Sequence, residues 1–221
     1  MSDKTTIRHY DLLPEPTLRR LPWYLAYLST LRNASVEYIS TTRIAEALDV
    51  DPSQIAKDLS FLGIRGKTRI GYQVDALESA LRDYLGFDRH HNAIMMGAGS
   101  LGAALISDSG LNRYGLNIVA GIDINPDIIG SSINGVKIYG IDDASRLIKD
   151  LNIIIGIIAV PVESAQEVAD TLANAGVKAI WNFTPSRIRV KEGVVISNTS
   201  IYSHLAVMYN RLSTLNPTQE Q

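Results

Sequence analysis

Leucines recur at helical spacing in the N-terminal part of the chain, on both sides of Pro22, at Leu18, Leu21, Leu25, Leu28 and Leu31. One stripe of this kind is typical of an amphipathic helix that buries a single face. Pro22 fits the first turn of a helix better than its interior, so we expect a bend there. Further helices are predicted over residues 41–48, 52–62 and 74–85, after a polar arm over residues 1–15.

Two of these helices carry start signals. Ser40 precedes the helix 41–48 and can cap it with its hydroxyl group. Asp51 can cap the helix 52–62, and Pro52 suits its first position. Gln54 stands where a capping box places a side chain that reaches back to the cap residue. The two helices are therefore predicted to be separated only by a short turn.

The helix predicted over residues 52–62 has two distinct faces. Ile55, Leu59 and Leu62 share the side that should face a core. The other side carries a polar, hydrogen-bonding strip of Ser53, Gln54, Lys57 and Ser60. A helix, a short turn and a second helix with such a strip are typical of the helix-turn-helix, whose second helix enters the major groove of DNA.

Three glycines space a basic segment directly after this helix. Gly63 and Gly66 precede the ribbon Lys67–Ile70, and Gly71 follows it, a pattern that we interpret as a β-wing. Residues 53–72 carry four basic side chains against one acidic side chain, a local excess of +3. A DNA-reading surface needs no more than a local patch of this kind. The contacts predicted for the wing are Lys67, Arg69 and Tyr72.

Strand-like and helix-like runs alternate beyond residue 87. Strands are predicted over residues 92–96, 116–122, 136–139, 153–160, 178–183 and 194–197, and helices over 101–107, 143–150, 163–174 and 199–215. This alternation favours a parallel sheet covered by helices. We therefore predict an α/β fold with an N-terminal winged-helix (helix-turn-helix) domain over residues 1–86, a Rossmann-type parallel-sheet domain over 87–198, and a C-terminal helix with its tail over 199–221.

A glycine motif joins the first predicted strand of this sheet to the next helix. Its residues are Gly97, Ala98, Gly99, Ser100, Leu101 and Gly102. The first glycine permits the tight turn, the second lets a pyrophosphate approach the backbone, and the third lets the helix pack closely. The phosphates would bind the free N–H groups at the helix N-terminus. This context, strand before and helix after, favours a dinucleotide site.

Asp123 ends the strand 116–122, 21 positions after Gly102, where it can accept hydrogen bonds from an adenosine ribose. A 2′-phosphate would meet a carboxylate there, so NADH and NAD⁺ are favoured over NADP(H). Other strand ends complete the predicted cofactor site, and the loops at residues 160–161 and 182–185 could line a nicotinamide pocket. These additional residues are Ile124, Val160, Pro161, Phe183, Thr184 and Pro185.

Composition limits the remaining possibilities. The chain has no cysteine, which removes disulfides, thiolate nucleophiles and the usual zinc cages. None of its four histidines ends a predicted strand, and no paired acid and base is evident, so we expect no enzyme. The longest apolar run, Ile153–Val162, is about half the ~20 residues that a membrane span requires. With no secretory signal either, we expect a soluble, cytoplasmic protein.

Several segments together resemble the Rex family of redox-sensing transcriptional repressors, over nearly all of residues 14–215. They are Thr17–Pro22 with Tyr24, Lys57–Ser60, Gly63, Gly66-Lys67, Gly71-Tyr72, Gly97–Gly102, Asp123–Asn125, Val160-Pro161 and Asn182–Pro185. The resemblance implies a homodimer that binds double-stranded operator DNA with an inverted repeat and releases it when NADH accumulates. It also implies a domain-swapped C-terminal helix that lies between the two domains of the partner subunit.

The resemblance further implies a coupling between the two domains. In some members an arginine that matches Arg20 acts with a tyrosine and an aspartate, whose positions here hold Asp108 and Ser200. We expect Asp108 to pair with Arg20 instead. Ala56 stands where the family usually has a basic residue, which removes one possible DNA contact.

Two other functions stay open at this point. One is an NAD-dependent oxidoreductase with an N-terminal oligomerisation domain. The other is a DNA-binding protein whose Rossmann domain holds a different adenine nucleotide, such as coenzyme A. The basic wing and the missing catalytic groups favour the repressor.

Overall fold

The computed structural model describes residues 13–215 of the 221-residue chain, so most of the polar arm predicted over residues 1–15 lies outside the described residues. The chain divides into two compact units, Met1–Asp88 and Arg89–Gln221. Each unit has its own hydrophobic core.

The first unit is a small helical domain with a two-stranded sheet. Its elements are α1 (Glu15–Asn33), β1 (Tyr38–Ile39), α2 (Thr41–Leu48), α3 (Pro52–Ser60), β2 (Tyr72–Gln73) and α4 (Val74–Leu85). The predicted caps form, because the Ser40 hydroxyl accepts from the Arg43 N–H at 3.2 Å and Asp51 accepts from the Ser53 N–H at 2.7 Å. All four helices contribute to one core, which includes Leu21, Leu25, Leu28, Ile44, Ile55, Leu59, Leu77 and Leu81.

Helix α1 continues through Pro22, so the proline lies inside one 19-residue helix and not in a first turn. The leucine stripe explains why the helix does not end. Leu21, Leu25 and Leu28 are almost fully buried on both sides of the proline. Burial of that continuous face outweighs the one hydrogen bond to the carbonyl of Leu18 that a proline cannot donate.

The basic ribbon forms the tip of a small hairpin. Lys67 and Gly71 exchange backbone hydrogen bonds of 2.7 and 2.9 Å, and residues 68–70 make the turn between them. The chain then continues into β2, which pairs antiparallel with β1. The wing is therefore a tight turn rather than a long ribbon, with the side chains of Lys67 and Arg69 exposed.

The second unit is built on a seven-stranded sheet. Its strands are β3 (His91–Met96), β4 (Leu116–Ile122), β5 (Ser132–Ile133), β6 (Val136–Tyr139), β7 (Ile155–Ile158), β8 (Ala179–Asn182) and β9 (Val195–Asn198). Its helices are α5 (Ser100–Ser107), α6 (Ser109–Arg113), α7 (Ala144–Asp150), α8 (Ala165–Ala175) and α9 (Ile201–Leu215). The strand order is β5-β6-β4-β3-β7-β8-β9, and every pair is parallel except β5 with β6.

Both faces of this sheet are buried. Along β3, Ala93 and Met95 join one apolar cluster, and Ile94 and Met96 join the other. All four side chains are almost fully buried. Four consecutive apolar residues buried on both faces are what a sheet covered by helices on both sides requires.

The predicted boundaries differ from the structure at short elements. Strand β7 covers residues 155–158 rather than 153–160, while β1, β2, β5 and α6 were not predicted. Element ends are ambiguous by a residue or two. The missed elements are two to five residues long, too short to show a period in the sequence.

Helix α9 leaves much of its apolar surface exposed within the described chain. The exposed fraction is 51% for Ile201, 54% for Val207, 47% for Met208 and 51% for Leu212. None of the described helices has the length and apolar character needed to cross a membrane.

The glycine motif supplies a test of the packing of α5. A Cβ atom at Gly102 would collide with the carbonyl oxygen of Gly97, a backbone atom that cannot rotate away, whereas one at Gly99 would meet nothing within 4 Å. We expect Gly102→Ala to lower the free energy of unfolding of this unit by about 3 kcal/mol or more, and Gly99→Ala by about 1 kcal/mol. Urea unfolding followed by Trp181 fluorescence, with Trp23 replaced by Phe, measures the difference. Equal effects of the two substitutions would contradict this account.

Candidate nucleotide and nucleic-acid sites

A cleft of about 210 Å³ lies at the carboxyl ends of β3 and β7. These two strands are neighbours, and the chain proceeds from them toward opposite edges of the sheet. In doubly wound sheets such a switch point is where ligands bind. The cleft is lined by six of the predicted cofactor residues, namely Gly97, Gly99, Asp123, Ile124, Val160 and Pro161.

The glycine loop turns sharply at the end of β3. Gly97 has φ +94°, and a Cβ atom there would lie 2.5 Å from the carbonyl oxygen of Ala159. The loop is held on both sides, since the Gly97 N–H donates to Ile122 and the Ala159 N–H donates to Met96, each at 2.8 Å. Only glycine allows the chain to leave the strand in this direction at this distance.

The N-terminus of α5 opens into this region. Its first intrahelical bond runs from the Ala103 N–H to the Gly99 carbonyl at 2.8 Å, so the N–H groups before Ala103 have no partner within the helix. In the described part of the chain, no side chain caps this terminus. Free N–H groups and the positive end of the helix dipole together bind phosphate groups. Ser100 and Leu101 contribute the first turn and are exposed.

Asp123 is tied to the loop by backbone donors. Its Oδ2 accepts from the Ala98 N–H at 2.7 Å, and its Oδ1 accepts from the N–H groups of Ile124 and Asn125 at 2.8 and 2.9 Å. A carboxylate oxygen has two lone pairs. Oδ2 therefore keeps the capacity to accept one further hydrogen bond.

Seven predicted cofactor residues lie outside the cleft lining, four of them in the glycine motif and three in the loop after β8. Thr184 is buried, and its N–H and hydroxyl both donate to Asn182 Oδ1, at 3.0 and 2.9 Å. Phe183 packs against Trp181 with 4.5 Å between ring centroids, and Pro185 is exposed. Asn182 also donates to Asn198, so one buried amide shapes this loop and holds it to β9.

Sequence reasoning missed part of the cleft. Ile141 lies in a single 3₁₀ turn after β6, and Ser164 and Val168 follow Pro161 into α8. A signal for Ile141 was present, because it follows a predicted strand whose carboxyl end meets the same edge of the sheet.

The predicted DNA-contacting strip lies on α3 of the first unit. Ser53, Lys57 and Ser60 are exposed, whereas Gln54 is half-buried. The Ser53 hydroxyl donates to the cap residue Asp51, and the Ser60 hydroxyl donates to the Lys57 carbonyl at 2.6 Å. Lys57 thus presents its charge to solvent between two short polar side chains.

The capping box predicted for Gln54 is wrong. Its amide donates to Asp58 at 2.8 Å rather than reaching back to the cap residue. Asp58 is fully buried, and it also accepts from Thr17, Arg20 and Tyr24 on α1. Burial by itself would raise the pKa of Asp58, but these donors outweigh burial and lower it. The buried carboxylate of Asp58 is a stronger hydrogen-bond partner for the Gln54 amide than the backbone of the cap residue.

In the wing, Lys67 packs on the side chain of Tyr38. Its ammonium group donates to the Tyr38 hydroxyl at 2.7 Å and lies 4.8 Å from the ring centroid. The hydrogen bond raises the pKa of Lys67, which stays charged at neutral pH. Tyr72 is half-buried in β2, where it packs beside Gly66.

The residues expected to couple the domains have local partners. Arg20 binds Asp58 through two hydrogen bonds of 2.7 and 2.9 Å, and this interaction raises the pKa of the guanidinium group. Asp108, which we expected to pair with Arg20, accepts from the Gly110 N–H and caps α6. Ser200 accepts from the Ser203 N–H at the start of α9. The pairing of Arg20 with Asp108 stays a prediction, as do the coupling roles of Arg20, Asp108 and Ser200.

Comparisons with known proteins agree with this two-unit organisation. A family model described as a CoA binding domain matches residues 88–186. A second model, for the N-terminus of a DNA-binding protein family, matches residues 13–60.

Two curated relatives are each named redox-sensing transcriptional repressor Rex. The protein of Bacteroides fragilis is 50% identical over 96% of this chain and 98% of its own length. That of Porphyromonas gingivalis is 53% identical over 92% of this chain and 93% of its own.

Solved structures lead to the same family. RSP, a Rex-family repressor, in complex with β-NAD⁺ and operator DNA has a TM-score of 0.87 and 33% identity, covering 95% of this chain and 99% of RSP. Its complex with β-NADH has a TM-score of 0.83 and 34% identity, covering 92% and 95%. This chain belongs to the Rex family of redox-sensing transcriptional repressors.

Proposed function

We propose that this chain is a repressor that binds operator DNA through its first unit and releases it when NADH binds the second. The observation that carries this proposal is the presence, in one chain, of an uncapped helix N-terminus at a sheet switch point and a helix-turn-helix with a basic wing. The full-length similarity to RSP, which is solved with both kinds of ligand, supports it.

The residues of the cleft fit a dinucleotide. The pyrophosphate would bind the N–H groups at the start of α5, where a Cβ at Gly99 would meet only open space. The remaining lone pair on Asp123 Oδ2 would accept from the adenosine ribose. The apolar side chains of Ile124 and Ile141 would flank the adenine ring. The bound nicotinamide supplies the signal through its redox state, since NAD⁺ carries a ring charge that NADH lacks.

On the DNA side, the second helix of the helix-turn-helix would enter the major groove. Lys57 would bind phosphate or a base edge, with Ser53 and Ser60 beside it. In the wing, Lys67 and Arg69 would contact the phosphate backbone of the DNA.

We further propose that α9 forms a homodimer. Exposed apolar side chains lie along its length, including Ile201, Val207, Met208 and Leu212. A partner subunit that covers them would remove this surface from water. A two-fold dimer also matches an operator with an inverted repeat, whose half-sites are related by the same symmetry.

The role of Asp123 predicts selectivity for the nucleotide. The native protein should bind NADH more tightly than NADPH, because a 2′-phosphate would face the carboxylate. Asp123→Asn should lower the affinity for NADH by about 10- to 100-fold, because a charge-assisted hydrogen bond is lost. It should also reduce the difference in affinity between NADH and NADPH. The ratio of the two affinities is the readout, since damage to the loop held by Asp123 affects both nucleotides alike. Equal affinities in the native protein would rule out this role.

The proposed function is tested with an operator selected from a genomic fragment pool. Fluorescence anisotropy should show binding of the full chain without nucleotide, and release on addition of NADH but not of NADPH or coenzyme A. Binding should also weaken as salt rises, because phosphate contacts release counterions. Lys57→Ala should reduce the slope of this salt dependence by about one unit for each half-site, while Lys149→Ala, which removes an exposed lysine on α7, should not change it.

Three outcomes would contradict the proposal. The native chain could fail to select any DNA fragment, or it could hold its operator equally well with and without NADH. Steady oxidation of NADH in the presence of small-molecule oxidants would favour the oxidoreductase instead.

A further inference from the structure

The buried carboxylate of Asp58 joins α3 to α1. Its Oδ1 accepts from Thr17 Oγ1 at 3.0 Å, Arg20 Nη2 at 2.9 Å and Gln54 Nε2 at 2.8 Å. Its Oδ2 accepts from Arg20 Nε and the Tyr24 hydroxyl, both at 2.7 Å. Four of these five hydrogen bonds come from α1, and the fifth comes from Gln54 on the face of α3 that also carries Lys57.

This contact fixes which way the amide of Gln54 faces. An ionised carboxylate only accepts hydrogen bonds, so the amide must present an N–H to Asp58. A flipped amide would place Gln54 Oε1 against Oδ1 of the carboxylate, and two acceptors repel. Within the described residues, Oε1 and the second N–H of Gln54 have no further hydrogen-bond partner, and the side chain is half-buried.

One acceptor and one donor side by side form the edge that recognises adenine in the major groove. A glutamine amide donates to N7 and accepts from the N6 amino group, a pattern that no other base presents there. A free glutamine would have to lose conformational freedom to make this pair. At Gln54 the rotamer and the amide orientation are already set before DNA arrives.

We propose that Gln54 reads adenine at one position of each operator half-site, and that Asp58 is the positioning residue that fixes its amide for this purpose. The inference rests on the proposed function, since it requires α3 to lie in the major groove.

The test uses the full chain and its selected operator. Affinities are measured for operators that carry each of the four bases at each position of the half-site, changed symmetrically. The native chain should prefer adenine at one position by roughly 5- to 150-fold for each half-site that carries the change. Gln54→Met, which keeps the length of the side chain and removes the amide, should reduce that preference to about threefold or less. Preferences at the other positions should persist.

Asp58→Asn tests the positioning role. An amide at residue 58 offers both a donor and an acceptor, so Gln54 can bind it in either orientation. Asp58→Asn should therefore reduce the preference for adenine, and it should do so at the same operator position that Gln54→Met affects. The matched control is Glu78→Gln, another buried carboxylate of this unit, which binds Ser29 and Arg32 rather than α3. Glu78→Gln should leave the base preference as it is in the native chain.

A second measurement covers the case in which Asp58→Asn does not fold. In the native chain, ¹⁵N relaxation of side-chain amides should show Gln54 to be rigid and the exposed Gln73 to be mobile. Equal mobility of the two amides would overturn the positioning role.

The remaining outcomes are equally decisive. If Gln54→Met keeps the native base preferences, or if the affected position prefers a base other than adenine, Gln54 does not read adenine. If Asp58→Asn weakens all operators alike and keeps their ranking, Asp58 has only a structural role. In each case the native chain would still bind its operator and release it with NADH, so failure of this inference is distinct from failure of the proposed function.

Discussion

The nucleotide unit depends on a close approach of backbone to backbone around one glycine loop. Gly97 passes beside the carbonyl group of Ala159 at the switch point of the sheet, and Gly102 packs on the carbonyl group of Gly97. Because no side chain intervenes, α5 begins directly above the end of β3. Its free N–H groups then face the cleft that Asp123 borders, so a packing constraint on two glycines also determines where a phosphate can bind.

The DNA-binding unit is organised around a buried charge instead. Asp58 would be costly to bury alone, and it is tolerated because Arg20, Tyr24 and Thr17 donate to it from α1. The same carboxylate holds Gln54 on α3. Arg20 is the residue that the family resemblance connects with the nucleotide domain. A change that withdraws its guanidinium group from Asp58 would therefore also alter the surroundings of Gln54 on α3, since both side chains bind Asp58.

Periodicity predicted the long elements well, and the glycine motif with Asp123 located the cleft, because local sequence determines these features. The hydrogen-bond partners of individual side chains were harder to predict. Gln54 fits a capping box by spacing, yet a buried acid four residues later binds it in the structure. Pro22 reads locally as a helix start, but the buried stripe on either side keeps one helix intact. Such outcomes depend on what another element brings nearby, which spacing along one segment does not reveal.

NADH and operator DNA are expected to bind competing states of the same molecule. Coupling between two sites is reciprocal. Operator DNA must therefore lower the affinity for NADH by the same factor by which NADH lowers the affinity for operator DNA. The most direct measurement is calorimetric titration of NADH into the full chain, free and saturated with operator, at one salt concentration. The account predicts an NADH affinity roughly 5- to 150-fold lower on DNA. Equal NADH affinity in the free and DNA-bound states would contradict it.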